Sequence, residues 1–258
     1  MIWIDRKECP VELTQAIREE LTIKFINNEE DVWNDTRIKK PIKDALLRMS
    51  NNKCAYCECI IEREGNYFTV EHFFPKSDAK FKVLAWENLL PACGRCNGAK
   101  SGAVDKIIDP SKERPNDYMV YDGEQLIYAI IAKDGSKLGK DTKRILGLNV
   151  PTLRINRMEV GEKAKETCNK LCKSILKSIN SKVKDGKSPV LHYSHRYSFL
   201  ELLMMCNDDK SYSAVVATAI TKLEIFDVTV KRMKDYEIWN SMFDEPYKCM
   251  LSKKYDWN

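Results

Sequence analysis

Apolar residues recur at helical spacing near the start of the chain and again, more strongly, beyond residue 150, with a broken pattern between. Residues 10–27, PVELTQAIREELTIKFIN, place Leu13, Ile17 and Leu21 every four positions behind Pro10, which suits a first helical position. Residues 41–50, PIKDALLRMS, repeat the pattern with Ile42, Ala45, Leu46 and Met49 on one face. Residues 58–72 then change period. ECIIERE and NYFTVEH flank Gly65-Asn66 and predict a β-hairpin. MVYDGEQLIYAIIA (119–132) predicts a second hairpin about Asp122-Gly123, and KDTKRILGLN (140–149) a short helix ended near Gly147.

From about Leu153 onward the pattern is helical. Ala164, Cys168, Leu171, Cys172, Ile175 and Ile179 form one stripe of 3.6-residue period. YSFLELLMMC (197–206) and SAVVATAITKLEIF (213–226) read as further helices, separated by the loops KDGKSP and NDDKSY. The expected architecture is α+β: residues 1–40 a helical arm, 41–150 a mixed domain, and 151–258 a helical domain suited to interaction.

Composition changes this picture in two ways. The 258 residues are 43% hydrophobic and 31% charged, ordinary for a globular protein, with a formal net charge of +5. The charge is uneven. Residues 1–35 hold four Lys/Arg against nine Asp/Glu, and residues 36–115 hold 15 against 10. A basic body behind an acidic arm fits a polyanion-binding surface, and equally a solvated charged one. The opening MIWIDRKECP has no apolar signal-peptide core, and no apolar run approaches the roughly 20 residues of a membrane span. The expectation is a cytoplasmic protein without a membrane partner. Its ten cysteines are then reduced, and serve as metal ligands or core residues.

CAYC places Cys54 and Cys57 with two residues between them, and CGRC places Cys93 and Cys96 in the same way. Two such knuckles predict a tetrahedral zinc site, because each turns the backbone so that two thiolates point inward. A closed four-thiolate site folds the chain and does no chemistry. Cys59 reads as a packed thiol. Chemistry must come from what the zinc holds in place: Glu71-His72 at the end of a strand, Asn88 in WENLL, and Asn97 directly after the second knuckle.

The order C-x2-C, VEHFFPKS, ENLL-x2-C-x2-C-N-x2-K resembles the zinc-supported HNH endonucleases, the ββα-metal finger nucleases. IIDPSKERPNDYMVYDGEQ (107–125) and LGLNVPTLRINR (146–157) are similar to one branch, the Septu-type, PtuB-like subunits of bacterial anti-phage defence, which partner a large ATPase (PtuA-like). The resemblance covers roughly the first 160 residues. It implies a zinc-supported finger with flanking helices, nucleic acid as substrate (DNA ahead of RNA), structural Zn2+ and catalytic Mg2+. It implies that His72 is the general base, that Glu71 and Asn97 bind the catalytic metal, and that Asn88 braces the loop that aims His72. Products with 5′ phosphate and 3′ hydroxyl would follow.

Two positions depart from the family's habit. Glu71 stands where Asp or His is more common, and Asn97 where many members have His; a neutral amide tilts the choice of metal towards Mg2+. Adjacent strand residues face opposite ways, so Glu71 and His72 converge only if the chain leaves the strand there, as Pro75 suggests. Lys76, Arg95 and Lys100 flank the centre as candidate phosphate contacts, and Lys137, Lys140, Lys143 and Arg144 form a further basic cluster. Cys168 and Cys172 read as core thiols, His192 and His195 lack supporting ligands, and Trp239, Phe243 and Tyr247 are packing or an interface. A zinc-folded adaptor that binds without cutting has the same knuckles and charge.

Overall fold

The computed structural model describes residues 1–28, 31–63, 66–103, 106–123 and 128–256. The chain divides into two compact units, Met1–Met119 with Ile131–Leu148, and Val120–Ile130 with Asn149–Asn258. The fold is α+β, with helices around two small sheets. No helix among the described residues is long and apolar enough to cross a membrane.

In the first unit, α1 runs over Gln15–Ile26, not from Pro10. Pro10 closes a turn that ends at Leu13, and the Thr14 hydroxyl accepts from Ile17 N at 3.3 Å as the helix cap. Helix α2 (Thr36–Met49) starts five residues earlier than Pro41 suggested. Asp35 caps it, accepting from Arg37 N at 2.8 Å, and the helix carries Pro41 inside at the loss of one internal hydrogen bond. Its buried face is Ile38, Ile42, Ala45, Leu46 and Met49.

Strand β1 (Phe68–His72) pairs antiparallel with β2 (Leu89–Cys93), with Val70 opposite Pro91 and His72 opposite Leu89. Helix α3 (Gly94–Lys100) follows without a loop, giving a β-β-α unit. The expected partner of β1, ECIIERE, forms no strand over its described residues 58–63. Its backbone is spent on the first knuckle: Cys54 N donates to Cys59 O at 2.9 Å, and Ile61 N to Asn52 O at 2.8 Å. The expected turn at Gly65 lies outside the described residues.

Strands β3 (Met119–Tyr121) and β4 (Ile130–Ala132) form the second sheet, as the 119–132 pattern predicted; residues 124–127 of its loop lie outside the described residues. Helix α4 spans Lys137–Ile145 and is capped by Ser136.

The second unit is built on α5 (Pro151–Lys184), 34 residues long, with Pro151 in its first turn. Ala164, Cys168, Cys172, Ile175 and Ile179 are fully buried and Leu171 partly so. Around it pack α6 (Tyr193–Met204), α7 (Ser213–Thr221) and α8 (Glu224–Asp235), with α9 (Asp244–Lys253) against α6 and α7. The expected 213–226 helix is two helices. Leu223 takes extended backbone, and α7 is buried from Ser213 to Ile220, so it sits inside this unit rather than on its surface. Trp239, Phe243 and Tyr247 are packing residues, with Trp239 5.2 Å from both other rings between centroids. His192 caps α6, and His195 Nε2 lies 2.8 Å from the Ser174 hydroxyl, so the two histidines do not converge.

Candidate active site and zinc cluster

The sulfur atoms of Cys54, Cys57, Cys93 and Cys96 all lie within 4.8 Å of one another, and all four residues are buried. Cys57 and Cys93 are 3.8 Å apart. That is the edge of a tetrahedron whose metal–sulfur bonds are about 2.3 Å. The donor set and spacing fit a structural zinc ion.

The local chain explains the placement. Ala55 N donates to Pro91 O at 2.9 Å, which ties the first knuckle to β2. Cys93 ends β2 and caps α3, and Cys96 follows in the first helical turn. Gly94 between them admits the Tyr67 ring, since a Cβ there would fall 2.0 Å from Tyr67 Cζ. Arg95 Nη2 donates to Cys96 Sγ at 2.9 Å, a cation beside thiolate charge. Hydrogen bonding from Cys54 first of all holds the Cys57 and Cys93 thiols below the ordinary thiol range. Cys59, 3.4 Å from Cys57 Sγ, packs against the cluster from outside the set of four.

Beside this cluster a cleft of about 760 Å³ opens between β1, α2 and α3. Glu71, His72, Lys76, Asn97 and Lys100 line it. Glu71 and His72 are consecutive residues of β1, which stays paired through His72, and every residue of that strand from Phe68 to His72 lines the cleft, so no departure from the strand is needed to bring the two together. His72 Nε2 lies 3.0 Å from Val83 O. A carbonyl only accepts, so that nitrogen carries the hydrogen and Nδ1 keeps a lone pair. Burial first, then the charges of Lys76 and Lys100, push the His72 pKa down to about 4 despite the Val83 hydrogen bond. The ring is therefore neutral at ordinary pH.

Asn88 is buried and spends its amide on the loop after β1. Its Oδ1 accepts from Phe74 N at 2.7 Å, while Nδ2 donates to Phe74 O at 3.0 Å and Lys82 O at 3.2 Å. Lys82 precedes Val83, whose carbonyl holds the imidazole, so the brace and the histidine share one stretch of backbone. Asn97 lines the cleft, and its side-chain amide makes no hydrogen bond among the described residues.

Glu71 is more engaged than sequence implied. Lys100 Nζ lies 2.7 Å from Glu71 Oε1, both side chains are buried, and Tyr56 donates to the same oxygen at 3.4 Å. Burial raises the Glu71 pKa and the Lys100 charge opposes it. Lys100 Nζ also donates to His72 O at 2.9 Å, so it braces the site from within and is not a free phosphate contact. Its position four residues after Cys96 on α3 is the signal that places it on the buried side. Arg95 is likewise turned inward, donating to Leu146 O at 3.2 Å and Gly147 O at 3.3 Å, and it does not line the cleft. Lys76 is exposed at the cleft.

The HNH endonuclease family matches residues 54–102, the span from the first knuckle to the end of α3. Septu protein PtuB of Bacillus thuringiensis is 36% identical over 250 residues, covering 93% of this chain and 90% of that protein. The chain belongs to the Septu PtuB family. A second PtuB, from Bacillus mycoides (strain KBAB4), is 26% identical over 154 residues, 47% of this chain and 51% of that one. The PtuB likeness thus runs well beyond the HNH segment and takes in the helical second unit, where the motifs of the sequence had contributed little.

Proposed function

We propose that this PtuB-family chain is a metal-dependent HNH endonuclease that cleaves nucleic-acid phosphodiester bonds as the effector of an anti-phage complex. In this reading His72 Nδ1 takes the proton from the attacking water. Its depressed pKa keeps the ring neutral and the Val83 carbonyl fixes its tautomer. Asn88 holds the backbone that presents Val83. Glu71 and Asn97 would hold Mg2+, which when bound stabilises charge on the leaving oxygen and the phosphoryl group. The supporting fit is an oxygen donor set at one cleft: the Glu71 carboxylate, shared with Lys100 and Tyr56, and the Asn97 amide, which among the described residues has no other partner.

The observation that carries the reading is the neutral, single-tautomer imidazole at a lysine-lined cleft inside an HNH match. The test is incubation of plasmid with pure protein, with and without Mg2+, for wild type and His72→Ala, each alone and together with a candidate ATPase subunit. Nicking or cutting that needs both Mg2+ and His72 supports it; identical behaviour of the two proteins overturns it. The helical second unit, which adds no catalytic motif, would dock an ATPase subunit that gates the nuclease. Free chain that degrades DNA as fast as the assembly does would remove the gating.

A second reading is a zinc-folded adaptor that binds without cutting. The Glu71–Lys100 ion pair favours it, because a carboxylate already neutralised by a lysine is a weaker ligand for a hard cation. It predicts that His72→Ala binds nucleic acid as wild type does and that neither protein cuts.

A further inference from the structure

Three lining residues of the cleft, Trp33, Lys39 and Lys43, come from outside the HNH match at residues 54–102. They stand on the one-turn helix Val32–Asn34 and on α2, so the end of the N-terminal arm and the helix that continues from it line the cleft together with the β-β-α unit. The charge of the lining is one-sided: Lys39, Lys43, Lys76 and Lys100 against Glu71. Glu71 is neutralised by Lys100, and Lys43 is ion-paired with Glu62. Lys39 and Lys76 remain exposed, and among the described residues neither has a carboxylate partner. Lys76 Nζ lies 5.8 Å from the Phe25 ring centroid, a contact that leaves its charge uncancelled, so two cations without a carboxylate among the described residues line the same cleft.

The same cleft is lined by an aromatic ring. The Trp33 centroid lies 5.7 Å from that of His72, with the ring planes at 63°, so the two rings are not stacked on each other. A partly buried indole in a cleft lined by lysines is the arrangement that binds a base by its face and the backbone by its charge, without reading sequence. The cleft's 760 Å³ is the size of a ligand of one or two nucleotides. In a duplex the bases are stacked on their neighbours, so only an unpaired, unstacked base can offer its face to the indole.

The geometry points to a single-strand site: the cleft takes one strand of nucleic acid where its bases are unpaired, with Trp33 as the stacking surface and Lys39 and Lys76 as phosphate contacts. This rests on the proposed function for its placement beside His72, but it makes a claim about binding that stands or falls separately. The N-terminal arm would then set which nucleic acids reach the catalytic histidine. Free single strands, bubbles and frayed ends share the chemistry that this site recognises.

The experiment measures binding of full-length, zinc-loaded protein without added magnesium to three fluorescein-labelled probes: a single-stranded oligonucleotide, a blunt duplex and a duplex with a central bubble. Wild type should hold the single strand and the bubble more tightly than the blunt duplex. Trp33→Ala should weaken the first two about tenfold or more, with Trp33→Phe recovering most of the loss. Lys39→Gln should flatten the slope of log affinity against log salt by about 0.7 for the single strand, the contribution of one phosphate contact. Lys43→Gln, already neutralised by Glu62, should leave that slope unchanged. Zinc content and far-ultraviolet circular dichroism identify any variant that misfolds, and Trp33→Leu, which keeps the bulk without the aromatic face and should lose affinity as Trp33→Ala does, carries the test with Lys39→Gln if Trp33→Ala misfolds. Equal binding of all three probes by wild type, or a single-strand affinity and salt slope untouched by Trp33→Phe, Trp33→Ala and Lys39→Gln, would overturn the proposal. The same samples with magnesium and a candidate ATPase subunit added report on cleavage: binding as described without cutting in that assembly sinks the nuclease reading and leaves the strand site, whereas cutting with indifferent binding does the reverse.

Discussion

Two parts of the chain bring buried thiols together, and among the described residues only one of them offers a full set of metal ligands. Cys57 and Cys93 approach to 3.8 Å in the first unit, and Cys168 and Cys172 to 3.7 Å in the second. The first pair belongs to a set of four whose backbone is tied down at both knuckles, with the Arg95 cation donating to one sulfur. The second pair lies on one face of α5 among Ile175, Phe199, Leu202 and Phe226, and among the described residues no third ligand closes on it. Thiol proximity is therefore uninformative by itself. What separates the two is whether the surrounding chain completes a coordination sphere or an apolar core.

The largest effect should come from removing the metal. The free energy of structural zinc binding, on the order of 10 kcal/mol, becomes folding free energy where the small sheet has little else to hold it. Chelation, or Cys57→Ser combined with Cys93→Ser, should abolish zinc and strip amide protection from residues 52–100, while α5 to α9 keep theirs. Hydrogen exchange with metal analysis on the same sample checks this; full protection without zinc would erase the distinction between the two cysteine groups.

Next in size is the buried ion pair. Lys100→Ala leaves Glu71 charged and unpaired in the interior, a loss of about 3–5 kcal/mol. Adding Glu71→Gln should recover much of it. The second unit offers the control: Lys253 pairs with Asp208 at 2.8 Å, but Asp208 is 54% exposed and can return to water. Lys253→Ala should therefore cost clearly less on urea denaturation than Lys100→Ala.

His72 supplies a third contrast, now in pH. Its ring titrates at about 4 in the fold against 6.5 for an unperturbed histidine. Between those values the unfolded chain binds more protons, so stability rises with pH across the window. The contribution is fully present above about 6.5 and lost as pH falls through about 4, with a ceiling of about 3 kcal/mol. Glu71, raised by burial, pulls the opposite way over its own range. The clean measurement is thus the urea midpoint from pH 4 to 7 for wild type against His72→Gln, whose difference should grow with pH and level off near 6.5.

The sequence made the knuckles legible because residue type and spacing together specify a tetrahedron, and it made α5 legible because a long helix repeats its own signal. What it hid was non-local. Strand β1 has an adjacent candidate partner at 58–64, yet pairs with LLPAC some twenty residues on, whose Pro91 argues against a strand by propensity. The knuckle had already claimed the nearer segment's hydrogen bonds. Arg95 and Lys100 looked like phosphate contacts because a cation beside a motif reads as exposed; only the fold reveals the carbonyls, the sulfur and the carboxylate that each was facing. Trp33 carried no motif at all, and its place at the cleft follows from where α2 packs.

The smallest effect tests the other half of the comparison. Cys172→Ala removes one sulfur from the core of α5 and leaves a void smaller than a methylene pair, so its cost should be about 1–2 kcal/mol. Because Cys168 and Cys172 are core residues on this account, zinc stoichiometry should be the same in wild type and in Cys172→Ala, and only the second unit should lose amide protection. A fall in bound zinc would mean that the helical unit holds a metal too, and that the apolar neighbours of these thiols had concealed a second coordination sphere.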